Sequence, residues 1–546
     1  MRRWILLLWV WSITSFGPAL GQLIDASVLP TPDPWRYVPL QRVRALLARS
    51  TRENPVPIRI LIYGQSITQQ EWWIYTTNVL QKAFPEANLV VANRAIGSFD
   101  ASFLIKTAEI DVYPFRPDLI IYHSYGPYGI GRQWEQILRA FRARTTADII
   151  LIGNHPLYER DLAEPTDPDL IPVPSEAWLN YLVCESLSRE LGLCFPDNRT
   201  AWKHYVTAKK VPLSSLLLDG WHFNLAGSEL QTAILRPFLE APPVMPAIDP
   251  LNNGRVNTWP VGHPAVKWEG NRLRFAFVGN RVDALERIGT PRRCQVRIDG
   301  KVPTSLPSGR GHRRVPLWMG ESYPWPALLQ VGAIAPLALE TWAIRVSRIN
   351  PTNAHDFEFE LSGSVTGPDG VGTSTNLFVS RSGRVRIAPD DWNPRLPAGV
   401  SQLGVYLIWN TENRAVDEYR PGSSPVRKGE SVTTLVNDLP DGPHVLELIA
   451  DEGSEPVPLE ALRVYHPAGS VWTTPETDTP QLRVLNTAQG VLATWPAEAG
   501  EHQLILRSEL GSSGSPSGED AEVRYGVRGK RISTEESQGF LQLEKR

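Results

Sequence analysis

The stretch IRILIY at residues 58–63, followed at once by Gly64, Gln65 and Ser66, decides the fold of this chain. A short apolar, β-branched run that ends at a glycine is typical of a strand covered on both faces of a parallel sheet. The next segment, QEWWIYTTNVLQKAF over 70–84, repeats apolar residues at helical spacing. Ser66 is therefore predicted in a strand-to-helix turn, with backbone N–H groups facing outward.

Outward from this turn, strand-like and helix-like segments alternate. The predicted strands lie near 58–64, 88–93, 118–124, 147–153 and 192–196. This alternation predicts an α/β domain with a parallel sheet and helices on both faces. Ligands of such sheets bind at the carboxyl ends of strands near the topological switch point, where Ser66, Gly97 and the loop 123–126 are expected to meet.

A second motif, DGWH at residues 219–222, supplies the partners that a serine nucleophile needs. A serine hydroxyl becomes nucleophilic when a neutral histidine, held by a carboxylate, takes its proton. Three residues of separation in a loop let Asp219 reach Nδ1 of His222 and leave Nε2 free for Ser66. The pattern predicts acyl transfer, and Asn224 is predicted to cap the following helix.

Simpler interpretations of these residues exist. An Asp-x-x-His pair alone is more often a loop salt bridge, but its position next to a helix start and the matching serine motif favour catalysis. Asp197, in LCFPDN, is a rival acid for which a structural role is expected. His123 and His155 are predicted strand-end histidines that line or floor the pocket, and whether they contact substrate stays open.

Three segments resemble blocks I, II and V of the SGNH (GDSL-like) hydrolases. They are GQSIT from Gly64, NRAIG ending at Gly97, and DGWHFNLAG from Asp219. The resemblance covers residues 57–243 and implies a flavodoxin-like, three-layer α/β domain. It also implies roles for matching residues: Ser66 as nucleophile and first oxyanion N–H donor, Gly97 as second donor, His222 as base and Asp219 as its orienting partner.

Two positions depart from the family pattern. Gln65 replaces the family's aspartate, a variant that resembles the GQS motif of sialate O-acetylesterase-like enzymes. The asparagine of the third block is missing from DLIIYHSYGPYG over 118–129, so His123, Tyr125 or Asn154 are the candidate replacements. Loss of one oxyanion donor commonly costs about 10²–10³-fold in turnover.

Composition and motif content argue against several classes of protein function. The chain has 546 residues, which predicts more than one domain, and its formal net charge of -3 argues against a nucleic-acid binder. No phosphate-binding loop, dinucleotide-binding turn or cysteine–histidine metal spacing occurs, so neither a cofactor nor a metal is predicted. Three cysteines predict no disulfide framework, although a bridge between Cys184 and Cys194 is conceivable.

The first residues read as a secretory signal peptide over 1–21, which predicts a secreted, periplasmic or cell-surface protein without a later transmembrane span. A Pro-rich lead-in over 22–56, with a short helix around 40–49, is expected to pack on the first domain. The catalytic domain is predicted over 57–245, and the Pro-rich stretch 240–250 reads as an interdomain linker.

Beyond the linker, apolar residues recur at every second position instead of at helical spacing. Antiparallel β-structure is predicted over 251–467, in one or two β-sandwiches that resemble the jelly-roll modules of carbohydrate esterases. Trp318 and Trp325 either stack on sugar rings or belong to the core. A small β-module, broken by a flexible Gly/Ser stretch, is predicted over 479–546.

These observations lead to competing functional hypotheses. The first is a secreted serine esterase that removes acyl groups, most simply acetyl, from a polysaccharide or other glycan ester through an acyl-Ser66 intermediate. The second is a non-catalytic glycan-binding or surface protein on an SGNH-like scaffold. The third is an O-acyltransferase with the same residues.

Overall fold

The chain is described by a computed structural model. It describes residues 24–32, 34–123, 131–167, 170–172, 175–242, 249–286, 292–313, 325–393, 403–421, 431–453 and 456–467, and beyond these the strands between 483 and 545. The predicted signal peptide, Tyr125 and Trp318 lie outside the described residues.

The first domain alternates strands and helices, as predicted. Its strands are β1 Pro57–Gly64, β2 Asn88–Asn93, β3 Leu119–His123 and β4 Asp148–Leu151. Its α-helices are α1 Gln41–Arg49, α2 Ser66–Gln69, α3 Trp72–Ala83, α4 Ala101–Asp111, α5 Gly131–Arg144, α6 Glu185–Leu191, α7 Asn198–Lys209 and α8 Leu225–Glu240. Short 3-10 turns span Ala26–Val28, Pro34–Leu40, Tyr113–Phe115, Glu159–Ala163 and Leu213–Leu216.

The four strands form a parallel sheet in the order β2-β1-β3-β4. The fifth predicted strand, 192–196, is reduced to a single parallel bridge between Ile150 and Cys194. Two hydrogen bonds of 2.9 Å hold it, from Leu151 N to Cys194 O and from Cys194 N to Ile149 O. The pairing is short for two reasons. Gly192 caps the preceding helix with a left-handed backbone conformation, so an extended strand cannot begin there, and Pro196 has no backbone N–H to donate to the sheet.

Alternate residues of β1 enter two different cores, which makes the domain three-layered. Ile58, Ile60 and Ile62 pack with the lead-in helix α1 and with α8, whereas Leu61 and Tyr63 pack with α4 and α5. The lead-in is thus part of the first core, as expected. The α/β fold class predicted from the sequence is confirmed.

The helix before the fifth strand begins with a π-helical segment, Trp178–Cys184, that continues into α6, and its apolar residues recur at helical spacing. Leu182, Leu187 and Leu191 are buried, as their spacing predicts, whereas Trp178 and Tyr181 are only partly buried. The wider π turn accommodates the fully buried Asn180 side chain, which accepts a 2.6 Å hydrogen bond from the backbone N–H of Asn154.

Antiparallel β-structure follows, as predicted. The strands of the first unit are β5 Val256–Pro260, β6 Trp268–Glu269, β7 Arg272–Gly279, β8 Arg281–Glu286, β9 Cys294–Ile298, β17 Glu418–Tyr419, β18 Val432–Val436, β19 Gly442–Ala450 and β20 Leu459–Tyr465. A five-stranded sheet, β17-β9-β19-β7-β6, faces a four-stranded sheet, β18-β8-β20-β5, across one shared core, and the two form a sandwich. Strand β7 shows why each sheet has one buried and one exposed face, since its residues alternate between exposed and buried along the whole strand.

A second β-unit is inserted between β9 and β17 and has a core of its own. Its strands are β10 Arg310–His312, β11 Thr341–Asn350, β12 Asn353–Gly363, β13 Gly367–Thr373, β14 Phe378–Val379, β15 Arg386–Ile387 and β16 Tyr406–Asn413. Short 3-10 turns lie at Pro303–Ser305 and Pro389–Asp391. Trp325 belongs to this core, because it is 6% exposed and its ring meets Phe357 edge-on at 5.3 Å.

The last strands form two small antiparallel sheets, β21-β22-β26-β25 and β24-β23-β27. Their bounds are β21 Arg483–Thr487, β22 Gly490–Pro496, β23 His502–Arg507, β24 Ser515–Pro516, β25 Glu522–Arg524, β26 Val527–Ile532 and β27 Phe540–Lys545.

Ion pairs join the β-units to the first domain. Arg144, at the end of α5, contacts Asp438 of the sandwich at 2.6 Å and Glu109 of α4 at 2.5 Å. Lys106 of α4 contacts Asp391 of the inserted unit at 2.9 Å. The inserted unit thus contacts α4 directly through Lys106, and the sandwich is linked to α4 through Arg144 and Glu109.

All three cysteines are free and buried. Within the described ranges, no helix combines the length and the apolar character needed to cross a membrane.

Candidate active site

The serine turn is built around Gly64, the last residue of β1. Its φ of +153° is a backbone conformation that L side chains rarely adopt, and a Cβ there would lie 1.9 Å from the carbonyl oxygen of His123 on β3. Glycine therefore lets β1 end tightly against β3. The chain then turns through Gln65, and Ser66 begins α2.

Ser66, His222 and Asp219 are brought together as a hydrogen-bonded triad. Nε2 of His222 lies 2.9 Å from Oγ of Ser66, and Nδ1 of His222 lies 2.7 Å from Oδ2 of Asp219. This order of contacts is the one that general-base activation of a serine requires, because the carboxylate fixes the tautomer that leaves Nε2 as acceptor.

The Asp219 carboxylate also orders its own loop. Its Oδ1 accepts hydrogen bonds from the backbone N–H groups of Trp221, at 2.9 Å, and His222, at 2.8 Å. The backbone and ring hydrogen bonds from His222 lower the pKa of Asp219 to about 2, so the carboxyl is ionised at neutral pH. The side chains of His222 and Asp219 are 34% and 51% exposed, so the triad opens to solvent.

Gln70 connects the loop that carries His222 to the segment that carries Ser66 through hydrogen bonds. Gln70 lies between α2 and α3, and its Nε2 donates to the carbonyl of Phe223 at 2.8 Å while its Oε1 accepts from the Phe223 N–H at 3.0 Å. Asn224 then caps α8 as predicted, since its Oδ1 accepts from the Gly227 N–H at 3.0 Å. Sequence reasoning missed Gln70, because nothing in a single sequence shows that it pairs with a residue so far along the chain.

His155 lies beneath the same loop. Its fully buried ring contacts Phe223 at 4.7 Å and Trp202 at 5.0 Å, and it hydrogen-bonds to the backbone of Trp221. Burial lowers the pKa of His155 well below its usual range, so the ring stays neutral. The structure thus places His155 as a support of the catalytic loop and not as a surface that meets substrate.

The oxyanion side of the site is formed by Ser66 and the Gly97 loop. A Cβ on Gly97 would lie 3.8 Å from Cβ of Ser66 and 2.9 Å from Oε1 of Gln69, so the glycine lies directly against Ser66. Asn93, which sequence reasoning also missed, joins the two segments. Its Nδ2 donates to the Thr68 carbonyl at 2.7 Å, and its Oδ1 accepts from the N–H of Ala95 at 2.9 Å.

Gln65 occupies part of this side. Its Oε1 accepts a hydrogen bond from the backbone N–H of Ser66 at 2.7 Å and lies 2.6 Å from Oγ of Ser66, where it competes with Nε2 of His222 for the one hydroxyl proton. The side-chain amide is buried at 4% exposure, and its Nε2 has no hydrogen-bond partner in the described part of the chain. A carbonyl oxygen therefore lies where the first oxyanion donor points.

The candidates for the third oxyanion donor are placed differently from one another. His123 is buried at the end of β3, where burial lowers its pKa to about 3, and it hydrogen-bonds to Asn154. Asn154 is fully buried and donates from Nδ2 to Oε2 of Glu176 at 2.6 Å. Both thus belong to a buried polar group behind the sheet ends, whereas Tyr125 falls outside the described residues.

Asp197, the rival acid, has the structural role expected for it. It is the N-cap of α7, with Oδ1 accepting from the backbone N–H of Thr200 at 3.3 Å. Among the described residues, no group of three or more His, Cys, Asp and Glu side chains is arranged to hold a metal ion.

Two exposed aromatic rings flank the triad. Trp221, next to His222 in the loop, is 48% exposed, and Tyr158 is 44% exposed. The two rings meet edge-to-face at 6.2 Å. Large aromatic surfaces left open beside Ser66 form a wall against which a ligand can lie.

Several solved structures resemble this chain. A GDSL-like lipase from Parabacteroides merdae is 19% identical, and the match covers 34% of this chain and 95% of that one, with a TM-score of 0.28. The acetylxylan esterase Axe2 from Geobacillus stearothermophilus is 18% identical over 34% of this chain and 96% of its own, with a TM-score of 0.28. A two-domain esterase, CEX, active on acetylated mannans, is 12% identical over 78% of this chain and 95% of its own, with a TM-score of 0.31.

Of these structural neighbours, one is a GDSL-like lipase and two are esterases. No protein-family model matches the chain, and the search of curated proteins found no match. At such low identities and TM-scores, the neighbours carry no weight for what this chain does, and its function has to rest on the triad geometry.

Proposed function

We propose that this protein is an exported serine esterase that removes acyl groups, most simply acetyl, from a glycan. The observation that carries the proposal is the continuous contact from Asp219 Oδ2 through the His222 ring to Ser66 Oγ, with distances of 2.7 and 2.9 Å. Export is inferred from the leader-like sequence alone.

The reaction follows from the proton positions. Nε2 of His222 takes the Ser66 proton as Oγ attacks the ester carbonyl, and the tetrahedral oxyanion forms beside the N–H groups of Ser66 and Gly97. The protonated imidazole, stabilised by ionised Asp219, then donates its proton to the departing alcohol. Water then gives a proton to His222 and attacks the acyl-Ser66 carbonyl, and as the bond to Oγ breaks, His222 returns that proton to Oγ, which releases the acid and restores the serine.

The exposed surface around the triad favours a sugar ester as the substrate. The triad is half-exposed and is flanked by the open rings of Trp221 and Tyr158, which suits a bulky, hydrated alcohol group that stays outside the pocket. Acetylated xylan and acetylated mannan are polymers of this kind and serve as the first test substrates.

The test compares four proteins on p-nitrophenyl acetate and on both acetylated polymers. Wild type is expected to release acetate, and Ser66→Ala and His222→Ala are expected to lose that activity while they keep the wild-type melting temperature. His204→Ala is the matched control, because His204 is an exposed histidine on α7. Full turnover in Ser66→Ala would remove the serine from the mechanism.

A serine-directed phosphonate separates the remaining possibilities. Labelling of Ser66 with acetate release supports the esterase, whereas labelling with transfer of acetyl to an added sugar would assign an acyltransferase. Absence of both labelling and turnover would rule out the two enzymes and leave the non-catalytic glycan-binding scaffold as the remaining hypothesis.

A further inference from the structure

A cavity of about 600 Å³ lies in the sandwich domain, away from the triad. Strands β5 and β20 of one sheet and β7 and β19 of the other contribute to its lining, so it lies between the two sheets. Its volume falls within the range of about 300–1,000 Å³ that small-molecule sites occupy.

Aromatic rings form the apolar part of the lining. Phe275 and Phe277, both on β7, lie nearly parallel, with ring centroids 6.0 Å apart and planes 15° apart. The partly exposed indole of Trp259 lies 6.2 Å from Phe275. Phe275 and Phe277 are buried in the sandwich core at 2% and 6% exposure, so the indole of Trp259 is the flat aromatic surface left open to the C–H face of a sugar ring.

Two histidines supply hydrogen-bonding groups that are held in fixed positions. Nδ1 of His444 contacts Oδ2 of Asp299 at 2.7 Å, and Nδ1 of His466 contacts Oδ1 of Asp441 at 2.8 Å. Nε2 of His444 also reaches the Pro440 carbonyl at 2.8 Å. Nε2 of His466, by contrast, has no hydrogen bond within the described part of the chain, and its side chain is 31% exposed, so it is the ring atom left for a ligand.

The charge of the lining selects among ligands. Asp299 is the one carboxylate among the described residues of the lining, it is paired with His444, and none of those residues is Lys or Arg. An anionic ligand would therefore find no cation to bind, and a hydrocarbon chain would leave the imidazole of His466 without a hydrogen bond. A neutral ligand with hydroxyl groups and an apolar face satisfies both parts of the lining.

We infer that this cavity binds a neutral sugar residue of an oligosaccharide, with the ring against Trp259 and a hydroxyl on Nε2 of His466. The site shares no residue with the triad, so binding does not depend on the esterase chemistry. It gives the sandwich domain a ligand of its own.

The test uses the full chain with Ser66→Ala, which removes turnover, and titrates unacetylated mannopentaose and unacetylated xylopentaose by calorimetry. Binding of at least one pentasaccharide is expected. Adding Trp259→Ala or His466→Ala is expected to weaken it about tenfold or more, the loss that one aromatic or hydrogen-bonding contact brings. Trp268→Ala is the matched control, because this partly buried tryptophan packs on the same core but does not line the cavity.

Each outcome decides the inference. Absence of binding by both pentasaccharides overturns it, as does binding that Trp259→Ala and His466→Ala leave unchanged, because the sugar would then lie elsewhere. His466→Ala keeps the test valid if Trp259→Ala unfolds. With Ser66 intact, both variants should hydrolyse p-nitrophenyl acetate at the wild-type rate, so a failure of the sugar site and a failure of the proposed esterase give different results.

Discussion

The side-chain oxygen of Gln65 lies 2.7 Å from the backbone nitrogen of Ser66 and 2.6 Å from its Oγ. The first distance is that of a hydrogen bond, and a tetrahedral oxyanion would need a hydrogen bond from the same Ser66 N–H group. In this conformation the Gln65 carbonyl and the oxyanion compete for one donor. Turnover therefore requires the Gln65 side chain to move, and its Nε2, buried without a partner among the described residues, does not hold it in place.

Removal of this carbonyl should strengthen binding of a transition-state analogue. Gln65→Met keeps the length of the side chain but offers no comparable acceptor, so we expect up to about tenfold tighter inhibition by a phenylboronic acid, the worth of one neutral hydrogen bond. Gln65→Glu adds negative charge next to the developing oxyanion and should weaken inhibition. Weaker inhibition of Gln65→Met would show that the carbonyl does not compete with the oxyanion.

The two hydrogen bonds between Gln70 and Phe223 should control the position of His222. Gln70→Ala removes both bonds, so kcat is expected to fall about tenfold or more as the imidazole loses its distance to Ser66, with KM little changed. Gln70→Glu keeps the acceptor for the Phe223 N–H and should recover part of the loss. Equal kcat values for wild type and Gln70→Ala, measured on p-nitrophenyl acetate, would refute this role.

Activity should fall in acid because of the imidazole and not because of the carboxylate. A depressed pKa of about 2 keeps Asp219 ionised until the pH falls through that value, so its contribution is intact throughout the range from pH 4 upward. A protonated imidazole at His222 cannot accept the serine proton, so loss of activity in acid reports the base. The measurement is kcat/KM on p-nitrophenyl acetate between pH 4 and pH 9. A flat profile would contradict His222 as base.

The same carboxylate can be tested by substitution. Asp219→Asn keeps the shape of the side chain but favours the wrong tautomer of His222, so kcat should fall by up to about 10⁴-fold.

Gly64 and Gly192 should differ sharply in tolerance to a methyl group. Gly64→Ala forces a Cβ to within 1.9 Å of the His123 carbonyl at a φ of +153°, so a loss of several kcal/mol in the free energy of unfolding is expected. Gly192 has a φ of +60° and open space around its Cα, so Gly192→Ala should cost only about 1–2 kcal/mol. Thermal unfolding of both variants measures the difference. Similar costs would mean that β1 and β3 can separate at this point.

Residues close together in the chain were predictable. The apolar run before Gly64 predicted β1, and the helical spacing of 70–84 predicted the helix that the structure places at Trp72–Ala83. The Asp219–His222 contact spans three residues and follows from loop geometry, as does the Asn224 cap. The fifth strand was predicted too long, because hydrophobicity alone does not show where a helix cap and a proline interrupt a ladder.

By itself, the sequence determined the α/β alternation, the serine turn, the Asp-x-x-His loop and the change to antiparallel β-structure, because each depends on periodicity or on neighbours along the chain. Only the tertiary structure decided that Gln70 holds Phe223, 153 residues away, and that Gln65 takes the first oxyanion donor. It also decided that one β-unit is inserted into another and that a cavity opens between two sheets. Such features depend on which surfaces pack together, and packing joins residues whose separation in sequence carries no local signal.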